Sequence, residues 1–303
     1  MNGSLWNIDN EREFFKSFLK LVPPDSLFYR VKENNSEKYM AYYPKSYKGP
    51  KTTIQSRNAY IGAYTEKWFS DKIKPIAEEM GYVVETGVIC KELDITKRSP
   101  ADVAICTNRG KNQNPENIIM IFEIKMSIVW NWELIFQDSE NFILKKIGDF
   151  HKHTGNPSLL RSDTMLKAIG KSINIRVSTW EASKIPIFVI GNTPITKSYY
   201  KKVDRLKQYG IIQGFISVNP KPSDIPNDPV NIKSTKKRGF VRVDSYAELK
   251  NIIMESIEKE KIFFGAMLDK DSLGRIIEIA NREETYEAKA MKFLELLRGV
   301  KNE

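Results

Sequence analysis

Three charged residues lie in two neighbouring segments that otherwise have the composition of buried β-strands. Asp102 begins the segment DVAIC, and Glu123 and Lys125 lie within IIMIFEIKM. An ionised side chain in such apolar surroundings is costly unless it is paired, hydrogen-bonded or bound to a metal. Side chains two apart on a strand point to the same face, so Glu123 and Lys125 are predicted to lie about 7 Å apart along one face.

Pairing of the two strands would bring Asp102 next to Glu123. Two carboxylates this close repel each other unless a cation lies between them, and hard oxygen ligands suit Mg²⁺, with the backbone carbonyl of Ile124 as a further ligand. Such an ion polarises a phosphodiester and makes a bound water nucleophilic. Lys125 would orient that water or stabilise the developing negative charge. The sequence therefore predicts a Mg²⁺-dependent phosphodiester hydrolysis site.

This constellation resembles the PD-(D/E)XK nuclease superfamily. The resemblance rests on Pro100, Asp102, Glu123, Ile124 and Lys125, with Pro-Ala-Asp in place of a contiguous Pro-Asp. An acid-x-Lys triplet alone is not specific, but here it lies in a buried strand, with an aspartate on the preceding strand, a helix before it and a strand-helix-strand succession after it. The alternative interpretation is a buried structural ion pair in a sheet.

Within that superfamily, a chain of 303 residues with additions at both ends looks most like a type II restriction endonuclease. The resemblance implies sequence-specific hydrolysis of double-stranded DNA with Mg²⁺, leaving 5′-phosphate and 3′-hydroxyl ends. It also implies a homodimer, and a cognate DNA methyltransferase in the same system that is not a stable subunit. It makes Glu66, on the helix before the motif, a candidate outer metal contact, the alternative being a solvent-facing helix charge.

Two other functions compete with a restriction endonuclease. One is a structure-specific or repair DNA nuclease of the same superfamily, although junction resolvases of that kind are typically much shorter. The other is a non-catalytic DNA-binding protein, which has no reason to keep buried charges that cost stability. Sequence does not decide whether the site uses one metal ion or two.

The elements that must position this site follow from hydrophobic periodicity. Residues 57–80 have helical spacing, and Gly81 ends the helix. The segments YVVETGVIC, DVAIC and IIMIFEIKM predict an antiparallel meander. Two parallel strands joined by a crossover are predicted for the segments IPIFVIGNTPI and GIIQGFISVN, which are separated by a basic helix. The expected fold class is α/β, with a central mixed β-sheet flanked by helices as in a restriction-endonuclease-like core.

Three regions are predicted along the chain. Residues 1–56 form an N-terminal extension, residues 57–222 the catalytic core, and residues 223–303 a basic loop and a C-terminal helical part. The Pro- and Asp-rich segment after the last core strand has the composition of a linker or a long loop. The helical part is expected to complete the core or to make a dimer contact.

An excess of cations suggests a polyanionic partner. Lys and Arg number 48 against 38 Asp and Glu, which gives a formal net charge of +10. Aromatic and cationic residues alternate in the segment YMAYYPKSYKGPK, and an asparagine after the motif is able to pair with adenine. The candidate DNA-contacting residues are Lys45, Lys48, Asn131, Lys167, Lys171, Lys236, Lys237 and Arg238. A solvated surface explains most of them equally well.

The remaining features argue against other classes of protein. Cys90 and Cys106 are too few for a disulfide framework and match no zinc ligand spacing, so reduced cysteines are expected. No leader pattern or membrane-spanning apolar run is visible, which predicts a cytoplasmic protein. His151 and His153, in the loop DFHKHTG, are interpreted as loop residues outside catalysis.

Overall fold

A computed structural model describes residues 4–33, 36–138, 141–258 and 270–299. Its helices are α1 (Ile8–Leu19), α2 (Gln55–Glu79), α3 (Ser162–Arg176), α4 (Tyr200–Gln208), α5 (Tyr246–Glu258), α6 (Lys270–Ala280) and α7 (Tyr286–Gly299). The strands are β1 (Tyr29–Glu33), β2 (Ser36–Met40), β3 (Val83–Val88), β4 (Ala101–Cys106), β5 (Ile118–Ile124), β6 (Asn131–Phe136), β7 (Phe142–Gly148), β8 (Ile187–Gly191), β9 (Gly214–Ser217) and β10 (Phe240–Arg242).

The larger sheet is mixed and has six strands in the order β10-β9-β8-β5-β4-β3. Strands β3, β4 and β5 pair antiparallel, which confirms the predicted meander. Strands β8 and β9 pair parallel and are connected through α4, as predicted from the strand-helix-strand succession. The α/β class with a mixed sheet flanked by helices is therefore confirmed.

Helix α2 covers one face of this sheet because its apolar residues recur at helical spacing. Ile61, Phe69, Ile73 and Ile76 are buried along one side of the helix. The ring of Phe69 lies 5.1 Å from that of Phe122 on β5, measured between centroids, in an edge-on arrangement. The helix is continuous through Pro75 and ends before Gly81, whose φ of 78° is readily adopted only by glycine. Packing of α2 thus fixes the strand that carries the charged motif.

A second, four-stranded sheet has the order β1-β2-β6-β7 and was not predicted. Its first two strands come from the predicted N-terminal extension, and β2 pairs with β6, which directly follows the motif. The N-terminal segment is therefore joined to the core by sheet pairing as well as by α1. Local patterns do not predict this sheet because β6 and β7 are half-exposed and because β6 pairs with β2, about 90 residues earlier in the chain.

The C-terminal region contributes to the main core through α5. Leu249 and Ile253 are buried in it, and the hydroxyl of Tyr246 donates a hydrogen bond to the carbonyl of Lys72 on α2. Cys90 and Cys106 are buried thiols without a disulfide. Within the described ranges, no helix has the length and apolar character needed to cross a bilayer.

Candidate active site

Strand pairing brings the two carboxylates together at the end of β5. Val103 on β4 is opposite Phe122 on β5, so Asp102 and Glu123 are the next pair of neighbours. The backbone N–H of Ile124 donates to Asp102 Oδ2 over 2.7 Å. The predicted convergence of Asp102 and Glu123 is therefore present in the structure.

The ammonium of Lys125 lies between these carboxylates and a backbone carbonyl. Its Nζ is 2.6 Å from Glu123 Oε1, 3.4 Å from Asp102 Oδ2 and 3.2 Å from the carbonyl oxygen of Ile124. The backbone N–H of Lys125 donates to the carbonyl of Ile190, which extends the pairing of β5 with β8 past the end of the strand. Glu123 and Lys125 share one face, as the strand alternation predicts.

A second ammonium, from Lys171 on α3, meets the same two carboxylates. Its Nζ lies 2.6 Å from Glu123 Oε2, 3.4 Å from Asp102 Oδ1 and 2.6 Å from the carbonyl oxygen of Pro100. The buried face of α3 packs Met165 and Ala168 against the protein, which directs Lys171 toward the sheet. Lys171 is predicted from the sequence to contact DNA; the structure instead places it inside the carboxylate cluster.

Two positive and two negative side chains thus compensate one another in a poorly solvated site. The exposed fraction of the side chain is 6% for Glu123, 15% for Asp102, 20% for Lys125 and 18% for Lys171. Burial disfavours the charged form of Lys125, but Glu123 and Asp102 outweigh burial and raise the pKa of its ammonium. Removal of one ammonium would leave the two carboxylates with a single cationic partner.

Glu66, on α2, borders the same cleft as the cluster. Burial, followed by the negative charge of Asp102, raises the pKa of its carboxyl to about 7. The nearby ammonium of Lys125 acts in the opposite direction. Glu66 is therefore half-buried at the cleft and near the charges of the cluster, but among the described residues it does not join Asp102 and Glu123 in a metal-binding group.

The donor atoms of the cluster fit a hard divalent cation. Among the described residues, no three His, Cys, Asp or Glu side chains form a group able to hold a metal, so the donors are two carboxylates and a carbonyl. The Lys125 ammonium already contacts Asp102, Glu123 and the Ile124 carbonyl, the same three groups predicted as ligands. A small set of oxygen ligands leaves room for water and a phosphate oxygen, as Mg²⁺ prefers.

A cleft of about 920 Å³ opens in front of the cluster. Glu66, Asp102, Ile124 and Lys125 border it. Other residues along its walls include Lys51, Thr52, Gln55, Asn58, Arg161, Asp163 and Lys167. The cations among these wall residues give a phosphate backbone positive partners beside the carboxylates.

The other predicted DNA contacts are scattered. Lys45 and Lys48 are exposed in the loop that continues to the cleft-lining Lys51. Asn131 is buried, and its side-chain amide forms two hydrogen bonds with the backbone of Tyr42. Its Oδ1 accepts from the Tyr42 N–H over 2.8 Å, and its Nδ2 donates to the Tyr42 carbonyl over 3.1 Å. A base edge has no access to such an amide, so Asn131 is not in a position to read a base.

The basic turn of Lys236, Lys237 and Arg238 lies away from the cleft. It precedes β10, which is three strands from β5 in the sheet order. The carboxylate of Asp204, on α4, fixes this turn by accepting from Thr235 Oγ1 and from the backbone N–H groups of Lys237 and Gly239. The turn is therefore a separate, structurally fixed feature, and contact with the DNA segment at the carboxylates is not expected of it.

A residue not predicted from the sequence, Glu11, holds the segment directly after the motif. This carboxylate on α1 is fully buried and accepts from the backbone N–H groups of Val129 and Trp130 and from Trp132 Nε1, over 2.6, 3.2 and 3.0 Å. Burial raises its pKa to about 8, against the lowering effect of these hydrogen bonds. The only sequence signal was an acid within an amphipathic helix, which ordinarily faces solvent.

The two histidines of the DFHKHTG loop have structural partners. His151 Nε2 is 2.7 Å from Asp228 Oδ2. His153 is buried and stacks on Tyr42, with ring centroids 4.0 Å apart. Its Nδ1 accepts a hydrogen bond from the backbone N–H of Gly155, and its Nε2 is hydrogen-bonded to the carbonyl of Val129. These contacts fit neutral His153 with its proton on Nε2.

The burial of His153 predicts a pH dependence of stability. Burial lowers its pKa from 6.5 to about 4. Its contribution to the free energy of unfolding is therefore fully present above pH 6.5 and is lost as the pH falls toward 4. We expect the wild-type protein to lose about 3 kcal/mol of unfolding free energy relative to His153→Gln between pH 7.5 and 4. Urea denaturation of both proteins across this range measures the difference, and parallel pH curves would contradict the prediction.

Comparison of the chain with family models, curated proteins and solved structures finds no match in any of the three.

Proposed function

We propose that this protein is a Mg²⁺-dependent endonuclease that hydrolyses phosphodiester bonds of double-stranded DNA at a specific sequence, as a type II restriction enzyme does. The observation that carries the proposal is the cluster at the end of β5, in which Asp102, Glu123 and the Ile124 carbonyl converge on one cation position. Buried carboxylates in this arrangement suit the binding of a divalent ion at a cleft large enough for a nucleotide segment.

Mg²⁺, when bound, polarises a phosphoryl oxygen and lowers the pKa of a bound water. Asp102 and Glu123 would hold the ion, and the Ile124 carbonyl would complete the protein ligands. Lys125 would then direct its ammonium to the attacking water or to the scissile phosphate, where it stabilises the developing negative charge. Arg161, at the wall of the cleft, would contact the phosphate backbone.

The buried charges favour catalysis over DNA binding alone. A protein that only binds DNA gains nothing from a carboxylate such as Glu123, whose side chain is 6% exposed and depends on two ammonium groups. Specific cleavage, the 5′-phosphate and 3′-hydroxyl ends, a homodimer and an accompanying methyltransferase belong to the same proposal and follow from the resemblance to restriction endonucleases.

A digest of bacteriophage and plasmid DNA tests this function. We expect discrete fragments in Mg²⁺ and intact DNA in EDTA, with no fragments from Lys125→Met protein purified in the same way. A smear without discrete bands would favour a nuclease without sequence specificity, and cleavage only of branched DNA would favour a structure-specific nuclease. Intact DNA with every metal and substrate, alongside DNA binding, would reject the catalytic proposal.

A further inference from the structure

The carboxylate pair has two cation positions, and each is surrounded in the same way. Lys125 Nζ contacts Glu123 Oε1, Asp102 Oδ2 and the carbonyl of Ile124. Lys171 Nζ contacts Glu123 Oε2, Asp102 Oδ1 and the carbonyl of Pro100. Each position thus offers one oxygen from each carboxylate together with one backbone carbonyl.

Two cation positions that share carboxylates are the arrangement used by two-metal phosphodiester hydrolases. The two positions here differ in how readily the ammonium can leave. Lys125 borders the open cleft, and its proposed chemistry requires its ammonium to face the water or the phosphate. Lys171 comes from a different element, α3, and is held by a 2.6 Å hydrogen bond to the Pro100 carbonyl in addition to its two carboxylate contacts.

We propose that the ammonium of Lys171 permanently takes the place of a second metal ion, so that each active site binds one divalent cation. The inference rests on the proposed metal-dependent nuclease function and specifies its metal count. Lys171 is on this basis a positioning residue: it neutralises one oxygen of Asp102 and one of Glu123, and the other two oxygens are left for the divalent ion.

The charge balance agrees with one ion. Asp102, Glu123 and a phosphodiester together carry three negative charges. One divalent ion and the ammonium groups of Lys171 and Lys125 supply four positive charges, an excess of one, whereas a second divalent ion beside Lys171 would leave an excess of three. In a site whose side chains are at most 20% exposed, such an excess is poorly solvated.

Binding of Mn²⁺ to the full chain without DNA tests the metal count. Calorimetry gives the number of ions, and electron paramagnetic resonance distinguishes a mononuclear ion from a coupled pair. Ions that still bind to Asp102→Asn are subtracted as surface binding. We expect one mononuclear Mn²⁺ per chain in the wild-type protein and in Lys171→Arg, and two coupled ions in Lys171→Ser, in which the second position is vacated. Lys67→Met, which removes an exposed lysine paired with Asp71, is the charge-matched control and should bind one ion.

The possible results separate this inference from the function on which it rests. Two coupled ions in the wild-type protein would overturn the role of Lys171 while supporting the metal-dependent nuclease. A single ion in Lys171→Ser would overturn it as well, since the vacated position would then hold no metal. No site-specific ion in any of these proteins would remove the metal site and the proposed function together. If Lys171→Ser does not fold, the counts for the wild-type protein and Lys171→Arg still decide the question.

Discussion

Replacement of Lys125 by methionine is expected to lower the rate of DNA cleavage about 10²- to 10³-fold while increasing the affinity for the divalent ion at least about tenfold. The two effects have opposite signs because the ammonium has two roles. During reaction it would stabilise developing negative charge. In the structure it lies 2.6 Å from Glu123 Oε1 and 3.2 Å from the Ile124 carbonyl, at the position proposed for the ion, and it would therefore compete with the incoming ion.

The variant should remain folded because the cluster keeps other partners. The backbone N–H of Ile124 still donates to Asp102, and Lys171 still contacts both carboxylates. Methionine also retains most of the aliphatic length of lysine, so the packing of the side chain along the strand is preserved. Loss of cleavage with intact folding would therefore be a chemical effect.

Single-turnover cleavage and Mn²⁺ calorimetry measure the two effects separately. Lys67→Met controls for the loss of one positive charge from the protein surface. Lys67 is 78% exposed, and in the described contacts it pairs only with Asp71, another surface residue. Cleavage at the wild-type rate would show that Lys125 has no part in the chemistry. Weaker Mn²⁺ binding would show that its ammonium does not compete for the metal position.

The second large effect is expected on stability, from Glu11→Ala. The substitution leaves three donors without their acceptor: two backbone N–H groups, of Val129 and Trp130, and the Nε1–H of Trp132. Each buried donor that loses its partner costs about 1–3 kcal/mol, so we expect a loss of about 3–5 kcal/mol of unfolding free energy. Urea denaturation measures this loss.

Two matched variants show whether the lost hydrogen bonds are the cause. Glu11→Gln keeps one oxygen acceptor and should recover part of the stability. Glu13→Ala removes an exposed glutamate from the same helix and should change the unfolding free energy by less than about 0.5 kcal/mol. If Glu11→Ala were no more destabilising than Glu13→Ala, the buried carboxylate would have no role in holding the segment after the motif.

Stability and activity are linked through this segment. It runs from the end of β5 into β6, and Glu11, on the N-terminal helix, fixes its last two residues before β6, Val129 and Trp130. On its other side, the side-chain amide of Asn131 is hydrogen-bonded to the backbone of Tyr42. The segment is therefore held from two directions. The chain immediately after Lys125 is thereby held in place by residues from the first 42 positions of the sequence.

Hydrophobic periodicity in the sequence was enough to predict most of the main sheet and three of the four charged residues in the cluster. Local periodicity was sufficient to predict the meander of β3, β4 and β5 and the parallel pair β8 and β9. The spacing of apolar residues along a strand reflects whether one face or both faces are buried. Strand alternation also placed Glu123 and Lys125 on one face. With Asp102 at the start of the preceding strand, this was enough to predict two neighbouring carboxylates beside a lysine.

The residues that compensate those charges could not be predicted from local sequence patterns, because they come from distant segments. Lys171 is 46 residues beyond Lys125 and has the sequence context of an exposed helix position, as Lys167 has. Its contact with the carboxylates depends on the rotation of α3 and on how α3 packs against the sheet, which helix periodicity alone does not specify. The role of Glu11 and the existence of the second sheet depend in the same way on pairing between segments about 90 to 120 residues apart. Such contacts are set by the packing of whole elements, whereas the pattern within a segment records only which of its faces is buried.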